Sequence, residues 1–143
     1  MEAAVSKLFE RYERLFRQAL AGKADMDEVA SLYASDVIAA TPAGVISGKN
    51  DEELKRMMIQ GYEHYRSIGT KEMTLRHVRL SPIDESHYVA HVAWRATYAR
   101  KNQPDAKIDF DVHYLVQLLH GEAKVFGWVS GDEQALLKQH GIG

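Results

Sequence analysis

"HYVAHVAWRATYARKNQPDAKIDFDVHYLVQLLHGEAKVFGWVS" (residues 87–130) decides the fold. It holds three runs of alternating character, 87–100, 108–119 and 124–130, separated by the short polar connectors "KNQPDA" and "HGEA". Alternation with period two, rich in Val, Tyr, Phe and Trp, predicts strands. Connectors this short leave adjacent strands antiparallel, so the stretch predicts a meander. "EMTLRHVRL" (72–80) extends it by one strand through the turn-like "SPIDES".

Upstream the period lengthens. Val5, Leu8, Phe9, Tyr12, Leu15, Phe16, Ala19 and Leu20 recur at three- and four-residue steps, the apolar stripe of an amphipathic helix that Gly22 stops. Asp25 and Glu28 stand in capping-box spacing before a second helix carrying Val29, Leu32 and Tyr33. "VIAATPAGVISG" (37–48) predicts a short β segment turning at "TPAG". Asn50 and Glu53 predict the start of a third helix, with Leu54, Met57, Met58, Gly61, Tyr62 and Tyr65 in helical period and Gly69 at its end. Downstream, Ser130 and Glu133 predict the cap of a short terminal helix ending at Gly141. Helices first and an antiparallel sheet after make the class α+β, and residues 1–143 suffice for one domain.

Composition narrows the function. Hydrophobic residues make up 45% and charged residues 27%, as in an ordinary soluble domain, and the 18 Lys and Arg against 20 Asp and Glu give a net charge of −2. That balance argues against a nucleic-acid partner, which needs a basic stripe. No apolar run approaches the length of a membrane span, and the charge-mixed N-terminus is unlike a signal peptide, so a cytoplasmic protein is expected. Without cysteine, thiolate chemistry and Cys-based zinc sites are excluded. His87 and His91, four residues apart on a strand, stand roughly 13 Å apart and cannot hold one ion, so no metal and no cofactor is expected.

The element order, with "SLYASDVIAATPAGVISGKNDEELKRM" (31–57) at its centre and "HGEAKVFGWVS" (120–130) near its end, resembles the nuclear transport factor 2-like superfamily, the SnoaL-like and ketosteroid isomerase-like proteins. The resemblance implies a cone: three N-terminal helices packed on a curved antiparallel sheet, a short C-terminal helix, and a pocket between helices and sheet. It implies a small, mostly apolar ligand and a homodimer formed through the sheet. Its enzymes perform isomerisation, dehydration or cyclisation, and many members have no known catalysis. Tyr12, in "ERYERL", occupies a place similar to the enolate-stabilising tyrosine of ketosteroid isomerases. The place of their catalytic aspartate is taken by Thr41, which cannot act as a base at neutral pH. Their second acid falls near Asp111 or His113.

Pairing across "KNQPDA" sets Arg95 opposite His113 and Thr97 opposite Asp111; pairing across "HGEA" sets Leu115 opposite Trp128 and His113 opposite Ser130. One face then gathers His91, Arg95, Asp111, His113, Leu115, Trp128 and Ser130, and the other is almost wholly apolar. Pattern alone sends the apolar face to the helices, while the resemblance sends the mixed face to the pocket, because polar groups among Leu and Trp suit a ligand cavity. With the mixed face inside, His113 is the expected acid/base, Asp111 its orienting partner and Tyr12 the oxyanion donor. His91, Arg95, Leu115, Trp128, Ser130, Met58 and Tyr62 are the expected ligand contacts. The competing reading is a non-catalytic dimeric module whose mixed face is simply solvated.

Overall fold

The computed structural model describes residues 2–142. Four helices, α1 (Glu2–Leu20), α2 (Met26–Ala30), α3 (Glu52–Ser67) and α4 (Glu133–Gln139), accompany six strands. These are β1 (Tyr33–Thr41), β2 (Gly44–Lys49), β3 (Thr70–Pro82), β4 (His87–Arg100), β5 (Gln103–Leu119) and β6 (Glu122–Ser130). They form one sheet in the order β2-β1-β6-β5-β4-β3. The α+β class and the β3–β6 meander hold as expected. The β segment at 37–48 is a hairpin, β1–β2, turned at Thr41–Gly44 with the Ala43 N–H donating to Thr41 Oγ1 at 3.2 Å. It joins the meander through a parallel β1–β6 pairing, so the sheet is mixed.

Two helix starts differ from their predicted caps. The α3 cap is Asp51, whose carboxylate accepts from Glu53 N–H, because the Asn50 amide instead donates to the carbonyls of Ala30 and Tyr33. The α4 cap is Asp132, not Ser130. Ser130 is still paired with Val112 in the sheet, so the helix cannot begin until the ladder releases the chain.

The apolar face of the sheet is the inner one. Ala90, Val92, Trp94, Ala96 and Tyr98 of β4, with Ile108, Val112, Tyr114 and Val116 of β5, are buried with Val5, Leu8, Phe9 and Leu15 of α1. Removing a fully enclosed ring such as Phe9 costs about 3–5 kcal/mol in comparable cores. The face carrying His91, Arg95, Asp109, Asp111 and His113 points away from the helices.

The strand registers correct both expected pairings. The β4–β5 turn is tight, closing at Arg100 and Gln103 over Asn102 at φ 58°, so "QPDA" is strand rather than loop. The register therefore slides by four residues, pairing His91 with His113 and Arg95 with Asp109. An even slide preserves the faces. Across β5–β6 the change is one residue. The chain turns at His120–Gly121, both with positive φ as a two-residue hairpin requires. Val116 pairs with Val125 but Leu115 with Gly127, leaving Phe126 as a bulge. Beyond it the faces exchange: Trp128 pairs with Tyr114 and Ser130 with Val112, so both join the inner face.

Candidate functional site

Between the helices and the inner sheet lies a cavity of about 130 Å³. Tyr12 and Phe16 reach it from α1, Tyr65 from α3, Trp94, Tyr114 and Trp128 from the sheet, and Glu133 from the start of α4. A second, wider space of about 500 Å³ between β1–β2 and α3 shares Trp128 with it and is walled by Leu54, Met57 and Met58. A third, about 410 Å³, shares Ser130 and Glu133 with the first and runs along α4. Apolar walls with a few convergent polar groups are the usual make-up of a small-molecule site.

The polar groups of the inner cavity are held by buried partners. Trp94 Nε1–H can only donate, and it donates to the Tyr114 hydroxyl at 3.1 Å. Tyr114 is in turn within hydrogen-bonding reach of Tyr12, and the Tyr33 hydroxyl donates to Tyr12 at 3.2 Å. Tyr12 thus accepts from Tyr33, and it lines the cavity beside Tyr114. Burial is the main reason its pKa rises above the ordinary tyrosine value, with Tyr33 and Tyr114 pulling it partly back. Tyr33 and Tyr114 are raised further, again chiefly by burial. All three hydroxyls stay protonated at neutral pH and act as donors.

At the other side of the cavity Tyr65 O–H donates to Glu133 Oε1 at 2.7 Å. Burial first, and then the Glu133 carboxylate, push the Tyr65 hydroxyl well above its usual range. Glu133 also acts through space on Tyr12 and Tyr98.

The residues expected from sequence are divided by the sheet. Tyr12, Trp128 and Ser130 line the inner cavity, and Met58 lines the adjoining one. Tyr62 is buried edge-on against Phe16, with ring centroids 5.4 Å apart. His113, His91, Arg95 and Leu115 lie on the outer face, as does Asp111, which also borders the third space, so the expected grouping of His113 and Asp111 with Tyr12 is not formed. The apolar face wins the helices because burying it removes far more apolar surface from water. On the outer face, His91 and His113 meet Nδ1 to Nδ1 at 2.7 Å, while His91 Nε2 contacts Ser81 Oγ at 2.9 Å. Arg95 is held by Asp109 in two bonds of 2.7 and 3.0 Å, not by Asp111. Thr41 sits exposed in the β1–β2 turn, away from the cavity.

Sequence reasoning missed Glu133, Trp94 and Tyr114 as site residues. Glu133 was absorbed into a supposed capping box, and the two aromatics into an apolar core. The available signal was their polar tips, since a buried Trp N–H or Tyr O–H needs a partner.

Residues 2–133 match the family described as NTF2-like protein (DUF6841), and the chain belongs to it. No curated protein matches. Among solved structures, an NTF2-like protein with a cystatin-like fold from Novosphingobium aromaticivorans aligns with TM-score 0.69 at 11% identity, covering 95% of this chain and 88% of that one. A ketosteroid isomerase-like protein from Erwinia carotovora atroseptica aligns with TM-score 0.62 at 13% identity, over 90% and 93% of the two chains. An NTF2-like protein of unknown function from Shewanella oneidensis MR-1 gives 0.64 at 13%, over 92% and 98%. At these identities the likeness is one of fold. No helix among the described residues is long and apolar enough to cross a membrane.

Proposed function

We propose that this protein binds a small, mostly apolar molecule in the inner cavity and turns it over by cofactor-free proton transfer, an isomerisation, dehydration or cyclisation. The observation that carries the reading is an aromatic-walled cavity lined by two buried hydroxyls, Tyr114 held by Trp94 and Tyr12 held by Tyr33. A donor held by other buried dipoles is already oriented when charge develops on a ligand oxygen. The similarity to a ketosteroid isomerase-like protein supports the same reading. Native mass spectrometry of the purified protein against its denatured mass is the first test. Extra mass that leaves on denaturation is expected, and Trp128→Ala should lose it. His113→Ala, on the opposite side of the sheet, should retain it. Loss on His113→Ala with retention on Trp128→Ala would move the site to the outer face.

A second reading, a non-catalytic dimeric module, is favoured by the outer face of β1, β2 and β6. Ile38, Val45 and Val129 stand 40%, 64% and 47% exposed there. In that reading a second copy covers this face, and His113 and Asp111 sit near the interface.

A further inference from the structure

We propose that Ser81, His91 and His113 form a second site, on the outer face of the sheet, in which Ser81 is the nucleophile for hydrolysis of esters with short acyl chains. The site shares no residue with the inner cavity and stands or falls separately from it.

The sheet registers bring the three residues together. Arg79 pairs with His91 and His91 with His113, which makes one row across β3, β4 and β5. Ser81 pairs with Val89 and Val89 with Leu115, the next row on the same face. Ser81 Oγ lies 2.9 Å from His91 Nε2, and His91 Nδ1 lies 2.7 Å from His113 Nδ1. A hydroxyl on one ring nitrogen of a base, with a third group on the other, is the arrangement that activates a serine. With the proton between the rings on His91 Nδ1, His91 Nε2 is bare and accepts from the Ser81 O–H.

The surroundings suit the chemistry. Burial is the first cause holding the His91 pKa below its ordinary value, followed by Arg79 of β3 and His113 of β5, with Asp111 of β5 partly offsetting them. The ring is therefore neutral at pH 7 and able to take a proton. The Arg79 guanidinium lies 3.5 Å from Ser81 Oγ, where it faces the oxygen charge that develops during attack. Ser81, His91 and His113 are half-buried, and β3 is the edge strand, so a substrate can reach them. Val89 and Leu115, side by side in the serine's row, offer a floor two side chains wide, which fits a short acyl group.

The reaction balances with water as the co-reactant. Ser81 Oγ attacks the ester carbonyl carbon as His91 Nε2 takes the hydroxyl proton, and the carbonyl π pair moves onto oxygen beside Arg79. That pair returns, the bond to the alcohol oxygen breaks, and His91 gives its proton to the leaving alcohol. Water then attacks the acyl-serine, again losing a proton to His91, and the acid leaves as Ser81 recovers its hydrogen. His113 touches no reacting atom; it is a positioning residue that holds the His91 ring through Nδ1.

The test combines p-nitrophenyl acetate hydrolysis, read by release of p-nitrophenolate, with fluorophosphonate labelling read by intact mass and peptide mapping. Wild type should hydrolyse the ester above buffer and carry one adduct, on Ser81. Ser81→Ala should lose the adduct and about 100-fold or more of the rate, as should His91→Ala for the rate. His113→Ala should lower the rate about 10- to 100-fold. In His113→Asp an acceptor oxygen replaces Nδ1 at the same number of bonds from Cβ, so part of the rate should return, which a folding defect would not allow. The wild-type rate should fall as pH drops below 6.5 and His91 takes up a proton, and in His113→Asp this fall should begin at higher pH, because a facing carboxylate favours the imidazolium. No adduct on wild type, an adduct elsewhere, or hydrolysis unchanged in Ser81→Ala would overturn the nucleophile. A rate and pH profile unmoved by both His113 variants would overturn the three-residue arrangement.

Discussion

His91 and His113 face each other with Nδ1 atoms 2.7 Å apart and ring centroids 4.9 Å apart. The centroid separation is close to the nitrogen distance plus the two ring radii, so the nitrogens point at one another along a nearly straight line. Two lone pairs cannot do this unless one nitrogen carries a hydrogen, and two N–H groups cannot do it at all. The pair therefore accommodates one proton between its inner nitrogens. Burial is the largest cause lowering the His91 pKa, followed by Arg79 and His113, with Asp111 partly offsetting them. The folded protein then takes up the further proton that would charge His91 less readily than the unfolded chain. Stability is complete above the ordinary histidine value of 6.5 and declines as pH falls below it towards the lowered value. Thermal melts between pH 7.5 and 5 should show this decline, and His91→Asn should flatten it; parallel curves would refute the assignment. Sequence made the shared face of these two histidines legible, because alternation alone puts odd-numbered residues of β4 and β5 together. It did not reveal their direct contact, which depends on where the chain turns at Asn102.

One bulged residue in β6 accounts for most of the difference between the expected site and the observed one. Phe126 is the extra residue, and it edges against His87 on the outer face, with centroids 6.2 Å apart. Its neighbour Gly127 lies where β1, β5 and β6 come together. A Cβ at this position would meet Ile38 Cγ2 at 2.6 Å, the Ile38 carbonyl oxygen at 2.9 Å and Leu115 Cδ1 at 3.2 Å. The backbone contact cannot be relieved by a rotamer change. Gly127→Ala should therefore destabilise the fold by about 1–3 kcal/mol, read as a lower urea midpoint at unchanged slope. An unchanged midpoint would mean that β1 gives way easily. The caps of α3 and α4 belong to the same scale. Each helix is preceded by two Asx or Ser residues within three positions, Asn50 and Asp51 or Ser130 and Asp132, and local spacing cannot choose between them. Asn50 is claimed by the α2–β1 carbonyls and Ser130 by the sheet, so Asp51 and Asp132 cap by default.

For the molecule as a whole, the outer face poses the question of assembly. Exposed Ile38, Val45 and Val129 form an apolar group at the β1, β2 and β6 end of that face, while the β3–β5 end carries Arg95, Asp109 and the histidine pair. If a second copy docks there, Val129→Asp should shift the protein from dimer to monomer in sedimentation velocity, because an unpaired charge at an apolar contact is costly. Ligand capture in the inner cavity should survive that substitution, since Val129 points away from it. A sedimentation coefficient that does not change would remove this face from the interface.

The helices, the meander and the α+β class were readable from periodicity and turn residues, which are local properties of the chain. The same is true of the apolar character of the inner face and of Tyr12 on the inward stripe of α1. Which side of the sheet carries Trp128 and Ser130 was not readable, because a slip of one residue reverses every side chain while leaving the alternation intact. Nor was the meeting of Glu133, Tyr65 and Tyr12, which come from three helices separated by 53 to 121 residues of chain position, as their numbers show. Periodicity reports which residues share a face; contacts between elements arise from how the faces close on one another, and that closure is governed by burial of apolar surface summed over the whole chain.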